Sequence, residues 1–354
     1  MRAALGPLCE QQRLSRPSGD DGPSAVSCVA LDEGGGCAVT GAEDGALALW
    51  VRDEGGGGWR LGAVTNAHDD EVESVAVRGA LVLSGGGDGK VHAWRLDAEG
   101  ELLWKLRTLL SVKGDGEVGV LSLAMPPADG GGAEGEADCA WAVCGAQDGR
   151  IRVVATAGGT ETQALRVRGR RPGAAWVYSL ALGDGGGGAS LLLGGTFEGL
   201  CALWRAPPAA EPRAPPTFVL ERELRPFSDD PNTDGVLSVA LNAARGWATA
   251  GTNDGVVRVW AVGGDAQPLA SEPAATAGVC ALAWRGEGGD ELLSGAEDGS
   301  CTVWRLAGGG GTLACAQRLT APADHAAEAN SIASTAEGDA LLVSRASGVL
   351  EVYG

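Results

Sequence analysis

The sequence predicts an all-β fold of seven small four-stranded sheets, one for each copy of a repeat. Three observations predict it. A turn block recurs seven times, an apolar block recurs in step ahead of it, and the spacing between copies suits one small sheet per copy. The turn blocks are TGAEDGALALW (40–50), SGGGDGKVHAW (84–94), CGAQDGRIRVV (144–154), GGTFEGLCALW (194–204), AGTNDGVVRVW (250–260), SGAEDGSCTVW (294–304) and a weaker VSRASGVLEVY (343–353). Each aligned glycine is followed five residues later by Trp50, Trp94, Val154, Trp204, Trp260, Trp304 or Tyr353, so only Val154 breaks the aromatic.

The second block reads VSCVAL (26–31), VESVAV (72–77), VLSLAM (120–125), VYSLAL (177–182), VLSVAL (236–241), VCALAW (279–284) and NSIAST (330–335). Its third position is always small: Cys28, Ser74, Ser122, Ser179, Ser238, Ala281 and, shifted by one, Ser331. The runs are short, alternating and rich in Val and Leu, which suits strands rather than helices. Asp-Gly between two such runs signals a hairpin, and a type I′ turn with both residues at its centre is expected. Asp44 to Asp88 and Asp254 to Asp298 are each 44 residues apart. That matches a repeat of roughly 40–45 residues carrying four strands.

These blocks resemble those of the WD40-repeat family and span essentially the whole chain, which implies one seven-bladed β-propeller over residues 1–354. The resemblance also implies a buried tetrad per blade: a His before the first strand, a Ser or Thr in the second, the turn Asp and the Trp. Only the second repeat holds all four, as His68, Ser84, Asp88 and Trp94. Asp44, Asp148, Asp254 and Asp298 remain elsewhere without the His, and Val51, Arg95, Arg205, Ala261 and Arg305 stand where the family has an Asp after the Trp. The last repeat ends at Tyr353 after three strands. The segment LCEQQRL (8–14), which parallels LACAQRL (313–319), is expected to supply the fourth and cover an open edge.

The chain has 354 residues, a net charge of −19 and 44% hydrophobic residues. That composition supports a sizeable core and excludes global disorder. So acidic a surface disfavours direct binding of nucleic acid or anionic membrane. No run is long and apolar enough for a membrane helix, and the start has no apolar signal segment. Nine cysteines without a CxxC pair, and three histidines, offer no zinc spacing. They point to a reducing compartment, cytosol or nucleus, rather than secretion.

No catalytic, cofactor-binding or metal-binding residue is expected. SGGGDGKV (84–91) lacks the first Gly and the final Ser/Thr of a phosphate loop and lies at a hairpin. No GxSxG, HExxH or calcium-loop pattern occurs. The expected function is therefore a non-catalytic scaffold binding proteins or peptides, as a monomeric propeller within a larger complex. An acidic chaperone for basic proteins, histone or ribosomal, is the alternative. A propeller enzyme would need His or carboxylates at the inner-strand positions that hold Ser, Cys and Ala. A G-protein β-type subunit would need N-terminal heptads that do not fit before Val26.

By the resemblance, the residue before each turn Asp faces one side of the ring: Glu43, Gly87, Gln147, Phe197, Asn253 and Glu297. Phe197 is aromatic where the others are polar or small. The connection RVRGRRPGAAW (166–176) adds Arg168, Arg170, Arg171 and Trp176, a combination favoured at binding hot spots. These arginines would select an acidic or phosphorylated peptide. An acidic rim of Glu43, Glu71 and Glu297 would instead suit a basic partner. The Gly runs 34–36, 55–58, 130–132, 185–188 and 308–311 are expected to be flexible loops on the opposite side.

Overall fold

The computed structural model describes residues 8–16, 24–32, 34–53, 58–97, 103–112, 118–126, 139–167, 175–209, 214–224, 235–286, 289–307, 312–319, 327–335 and 337–354. Among them are twenty-eight strands in seven four-stranded antiparallel sheets. The second sheet, or blade, is a meander of β6 (Val72–Arg78), β7 (Leu81–Gly86), β8 (Lys90–Leu96) and β9 (Leu103–Ser111). The fourth comprises β14 (Val177–Gly186), β15 (Ala189–Thr196), β16 (Cys201–Ala206) and β17 (Val219–Leu224). The inner strands of successive blades adjoin one another, and that of blade seven adjoins β2 (Val26–Leu31) of blade one, which closes the ring.

Blade seven pairs β26 (Ala329–Ser334), β27 (Leu341–Arg345) and β28 (Val349–Tyr353) with β1 (Glu10–Ser15). The register runs from Glu10 opposite Tyr353 to Ser15 opposite Val349. The strand therefore begins later than position 8. Leu8 instead sinks into the core between blades six and seven, beside Leu319 and Cys301, and its backbone N–H donates to Gln317 Oε1 at 2.9 Å. Its apolar side chain is better buried between sheets than left at an outer edge.

Each core cluster lies between two neighbouring blades. Val39, Leu47 and Leu49 of blade one pack on Val75, Val82 and Trp94 of blade two. Leu14, Leu342, Leu350 and Val352 of blade seven pack on Val29, Trp50 and Trp59 of blade one. Burying each such side chain contributes roughly 1.5–3 kcal/mol. The repeated glycine and the small third residue now have a steric reason. A Cβ at Gly41 would lie 2.5 Å from Val72 Cγ1 of the next blade and 2.7 Å from Cys28 Sγ. A Cβ at Gly251 would lie 2.6 Å from both Val279 Cγ1 and Ser238 Oγ. The third residue also bonds across the blades: Ser122 Oγ donates to Val177 O at 3.2 Å and Ser238 Oγ to Val279 O at 2.8 Å.

Two sequence expectations need correction. The Asp-Gly hairpins are not two-residue type I′ turns. In blade one Gly45 N–H donates to Ala42 O, and in blade two Gly89 N–H donates to Gly86 O. Asp thus takes the third turn position and Gly the fourth, with φ of 76° at Gly45 and 73° at Gly89. This is the longer hairpin, whose last residue alone needs the left-handed region. The Asp carboxylate then accepts from the N–H two residues on, as from Ala46 to Asp44 and Lys90 to Asp88, both at 3.1 Å. The second correction concerns 185–188. These glycines extend β14 and close a tight turn into β15, with φ of 80°, 65° and 81° at Gly186, Gly187 and Gly188. Three left-handed residues in succession are accessible to glycine and build a hairpin rather than a loose loop. Of the other runs, 130–132 and 308–311 lie outside the described residues, as do 55–57.

Candidate functional site

The polar interior of the blades distinguishes residues that hold the fold from residues left exposed. In blade two Trp94 Nε1 donates to Ser84 Oγ at 2.9 Å, and the two nitrogens of His68 reach Ser84 Oγ and Asp88 Oδ1, each at 2.8 Å. Burial lowers His68, so the neutral ring sets the polarity of the chain. Ser84 donates to His68 Nε2, and Nδ1–H donates to Asp88. Burial alone would raise Asp88, but the bonds from His68 and Lys90 outweigh it and bring it down to about 2.

His92 stacks on His68 with ring centroids 4.6 Å apart, and its Nδ1 is buried without a partner. Burial, then His68 and Lys105, push it down to about 4. The ligand atoms of His68, Asp88 and His92 lie within 4.8 Å of one another. Both nitrogens of His68 are already engaged, however, and Lys90 and Lys105 both act on the two rings, which opposes a further cation.

Other blades fill the same space differently. In blade one Trp50 donates to Thr40 at 3.0 Å, and in blade six Trp304 donates to Ser294 at 2.8 Å while Thr276 Oγ1 donates to Asp298 at 2.7 Å. Arg152 pairs with Asp148, and Arg258 with Asp254 at 3.1 Å. In blade seven a fully buried Arg345 donates to Glu351 at 2.8 and 3.0 Å, and Tyr353 donates to the same oxygen at 2.8 Å. Sequence reading missed these arginines, since a strand arginine paired inside a blade looks like one facing solvent.

The face carrying the Asp-Gly turns is built from three seven-fold sets of positions. The backbone N–H of Glu43, Gly87, Gln147, Phe197, Asn253, Glu297 and Ala346 donates to the carbonyl just ahead of the inner strand, at Ala25, Glu71, Gly119, Trp176, Gly235, Gly278 and Glu328 respectively. The third set was missed. In every inner strand the pairing register shifts across the second residue: Ser27, Glu73, Leu121, Tyr178, Leu237, Cys280 and Asn330. Such a bulge re-aims its side chain away from the regular alternation of the strand. The signal was present in the repeat itself, because this position varies between two that do not.

Blade four holds an aromatic at all three positions. Trp176, Tyr178 and Phe197 have ring centroids 5.6 to 6.2 Å apart and planes within 33° of one another. Trp176 is 38% exposed and Phe197 46%. Gly235 lies beneath, where a Cβ would stand 3.4 Å from Phe197 Cδ2. The structure thus brings Trp176 and Phe197 together and adds Tyr178. Arg168, Arg170 and Arg171 lie outside the described residues.

The remaining candidates divide. Gln147 Oε1 accepts from Gly119 N at 3.0 Å and Glu297 Oε2 from Gly278 N at 3.2 Å, so both side chains brace their own blade. Glu43 and Asn253 are exposed, and Glu71 is half-buried beside Asp70 and Glu73. Burial, then Glu71 and Asp70, push Glu73 up to about 7. Tyr178 is raised by burial and by the charges of Glu73 and Glu297. The turn face is therefore acidic beside the aromatic group.

The family model described as "WD domain, G-beta repeat" matches residues 224–261, which cover the turn and Trp of the fifth repeat. A search of curated proteins returned no match.

Proposed function

Because this chain is a seven-bladed β-propeller of the WD40-repeat family, we propose that it is a binding platform for other proteins, engaged through the turn face at blade four. Propellers of this family are in general non-catalytic and bind proteins. The observation that carries the reading is the half-exposed group of Trp176, Tyr178 and Phe197, set on three equivalent positions that other blades fill with small, polar or aliphatic residues. Large aromatics left accessible on a rigid scaffold are the usual anchors of an interface. His68, Ser84, Asp88, Gln147 and Glu297 are tied by hydrogen bonds within their own blades, and we assign no chemical step to any of them.

The nine cysteines are all unpaired thiols, six of them buried, which supports action in a reducing compartment, the cytosol or nucleus. The test is affinity capture with the chain and with a Trp176→Ala/Phe197→Ala variant, whose β content is checked by circular dichroism. The variant is expected to lose partners the parent retains. Identical partner sets would remove blade four as the site.

A further inference from the structure

The chemistry of the turn face goes further than the presence of an interface, and this inference rests on the platform reading. We propose that the shelf of Trp176, Tyr178 and Phe197 seats an arginine side chain of a partner protein, with the guanidinium stacked on the rings and its N–H fork turned to the carboxylate of Glu73. Two observations lead there independently.

The first is shape. The three ring planes lie within 33° of one another with centroids 5.6 to 6.2 Å apart, a partly exposed group that lacks the perpendicular walls of an aromatic box. A planar, weakly hydrated guanidinium stacks on such faces, whereas a lysine ammonium is a compact, strongly hydrated point charge that gains less from them. The second is charge. The three sets of seven positions on the turn face include Glu43, Glu71, Glu73, Glu297 and Glu328 and no Lys or Arg. Glu73 and Glu297 both act on the Tyr178 hydroxyl. Glu73 is crowded by Asp70 and Glu71, and among the described residues no cation pairs with it. A cation placed there relieves the repulsion and completes a fork between carboxylate and guanidinium. The same field works against the acidic or phosphorylated peptide that Arg168, Arg170 and Arg171 suggest from sequence.

The experiment uses the full chain and fluorescein-labelled peptide pools with randomised flanks and a fixed central Arg, Lys, Ala or phosphoserine, read by fluorescence polarisation. The Arg pool is expected to bind about tenfold more tightly than the Lys and Ala pools. Trp176→Ala and Glu73→Gln should each weaken it by about tenfold, the scale of a hot-spot truncation, with melting curves confirming that both variants fold. An Arg pool no tighter than the Ala pool, a preference for phosphoserine, or binding indifferent to Trp176→Ala would overturn the proposal. The capture experiment separates the two levels. If Trp176→Ala/Phe197→Ala loses partners while the pools show no arginine preference, the platform stands and arginine is not its ligand. If the variant keeps every partner, the blade-four platform itself fails.

Discussion

Blades two and four share one backbone plan and use it for opposite ends. In blade two the interior is polar and complete: Trp94, Ser84, His68 and Asp88 form one hydrogen-bonded chain. In blade four Gly194 stands in the place of Ser84, and a Cβ there would lie 3.1 Å from Trp204 Cζ3. Glu198 stands in the place of the turn Asp, and the turn is tied instead by Thr196, whose Oγ1 accepts from Leu200 N at 3.2 Å. At the turn face the contrast reverses. Blade two presents Glu71, Gly87 and Glu73, while blade four presents Trp176, Phe197 and Tyr178. The repeat fixes where a side chain goes and leaves open what it is. A complete hydrogen-bonded network therefore sits in one blade and an exposed aromatic group in another.

That separation can be broken experimentally. The largest effect is expected in blade seven, whose interior is ionic. Arg345→Ala removes the guanidinium that donates twice to the buried Glu351 carboxylate and should cost about 3–5 kcal/mol in chemical denaturation. Ser84→Ala in blade two strands the Trp94 N–H and a nitrogen of His68, and a loss of about 1–3 kcal/mol is expected. Phe197→Ala in blade four touches no such network and should change stability by no more than about 0.5 kcal/mol while reducing partner capture. A loss in Phe197→Ala as large as in Ser84→Ala would erase the distinction between the blades.

The smallest effects are those of pH. His92 is held at about 4 in the folded chain against 6.5 when free, so the unfolded state binds its proton first. The stability His92 contributes is present above about pH 6.5 and is lost as pH falls toward 4. Glu73 acts in the opposite sense. The unfolded carboxyl ionises near 4.5 and the folded one near 7, so stability is lost as pH rises through that interval. Thermal melts of His92→Asn should show a shallower acid decline than the parent. Those of Glu73→Gln should show a higher Tm than the parent at pH 8 and little difference at pH 4.5.

Seven-fold recurrence made the blades and their order legible, because a pattern repeated in register needs no partner to be recognised. Trp176 and Phe197 were legible for a related reason, as aromatics at positions that the other repeats keep small or polar. The hairpin type was misread, since Asp-Gly fits the centre of one turn and the end of another, and only the bond from Gly45 N to Ala42 O decides. Tyr178 was overlooked because it lies inside a strand block, and its exposure depends on a bulge that leaves no mark on the residue itself. Arg345 and Glu351 were overlooked because burial of a charge becomes acceptable only once its partner is known.

The central claim, that recognition belongs to the turn face of blade four and not to its apolar edge, is open to one direct measurement. Phe197 is 46% exposed on that face, and Val219 is 64% exposed on the outer strand of the same blade. A photo-crosslinking amino acid placed at 197 or at 219 samples two apolar surfaces on one scaffold, and the products from cell extract can be identified by mass spectrometry. Position 197 is expected to give discrete crosslinked partners and position 219 none of them. The same partners captured from 219, with none from 197, would contradict the account.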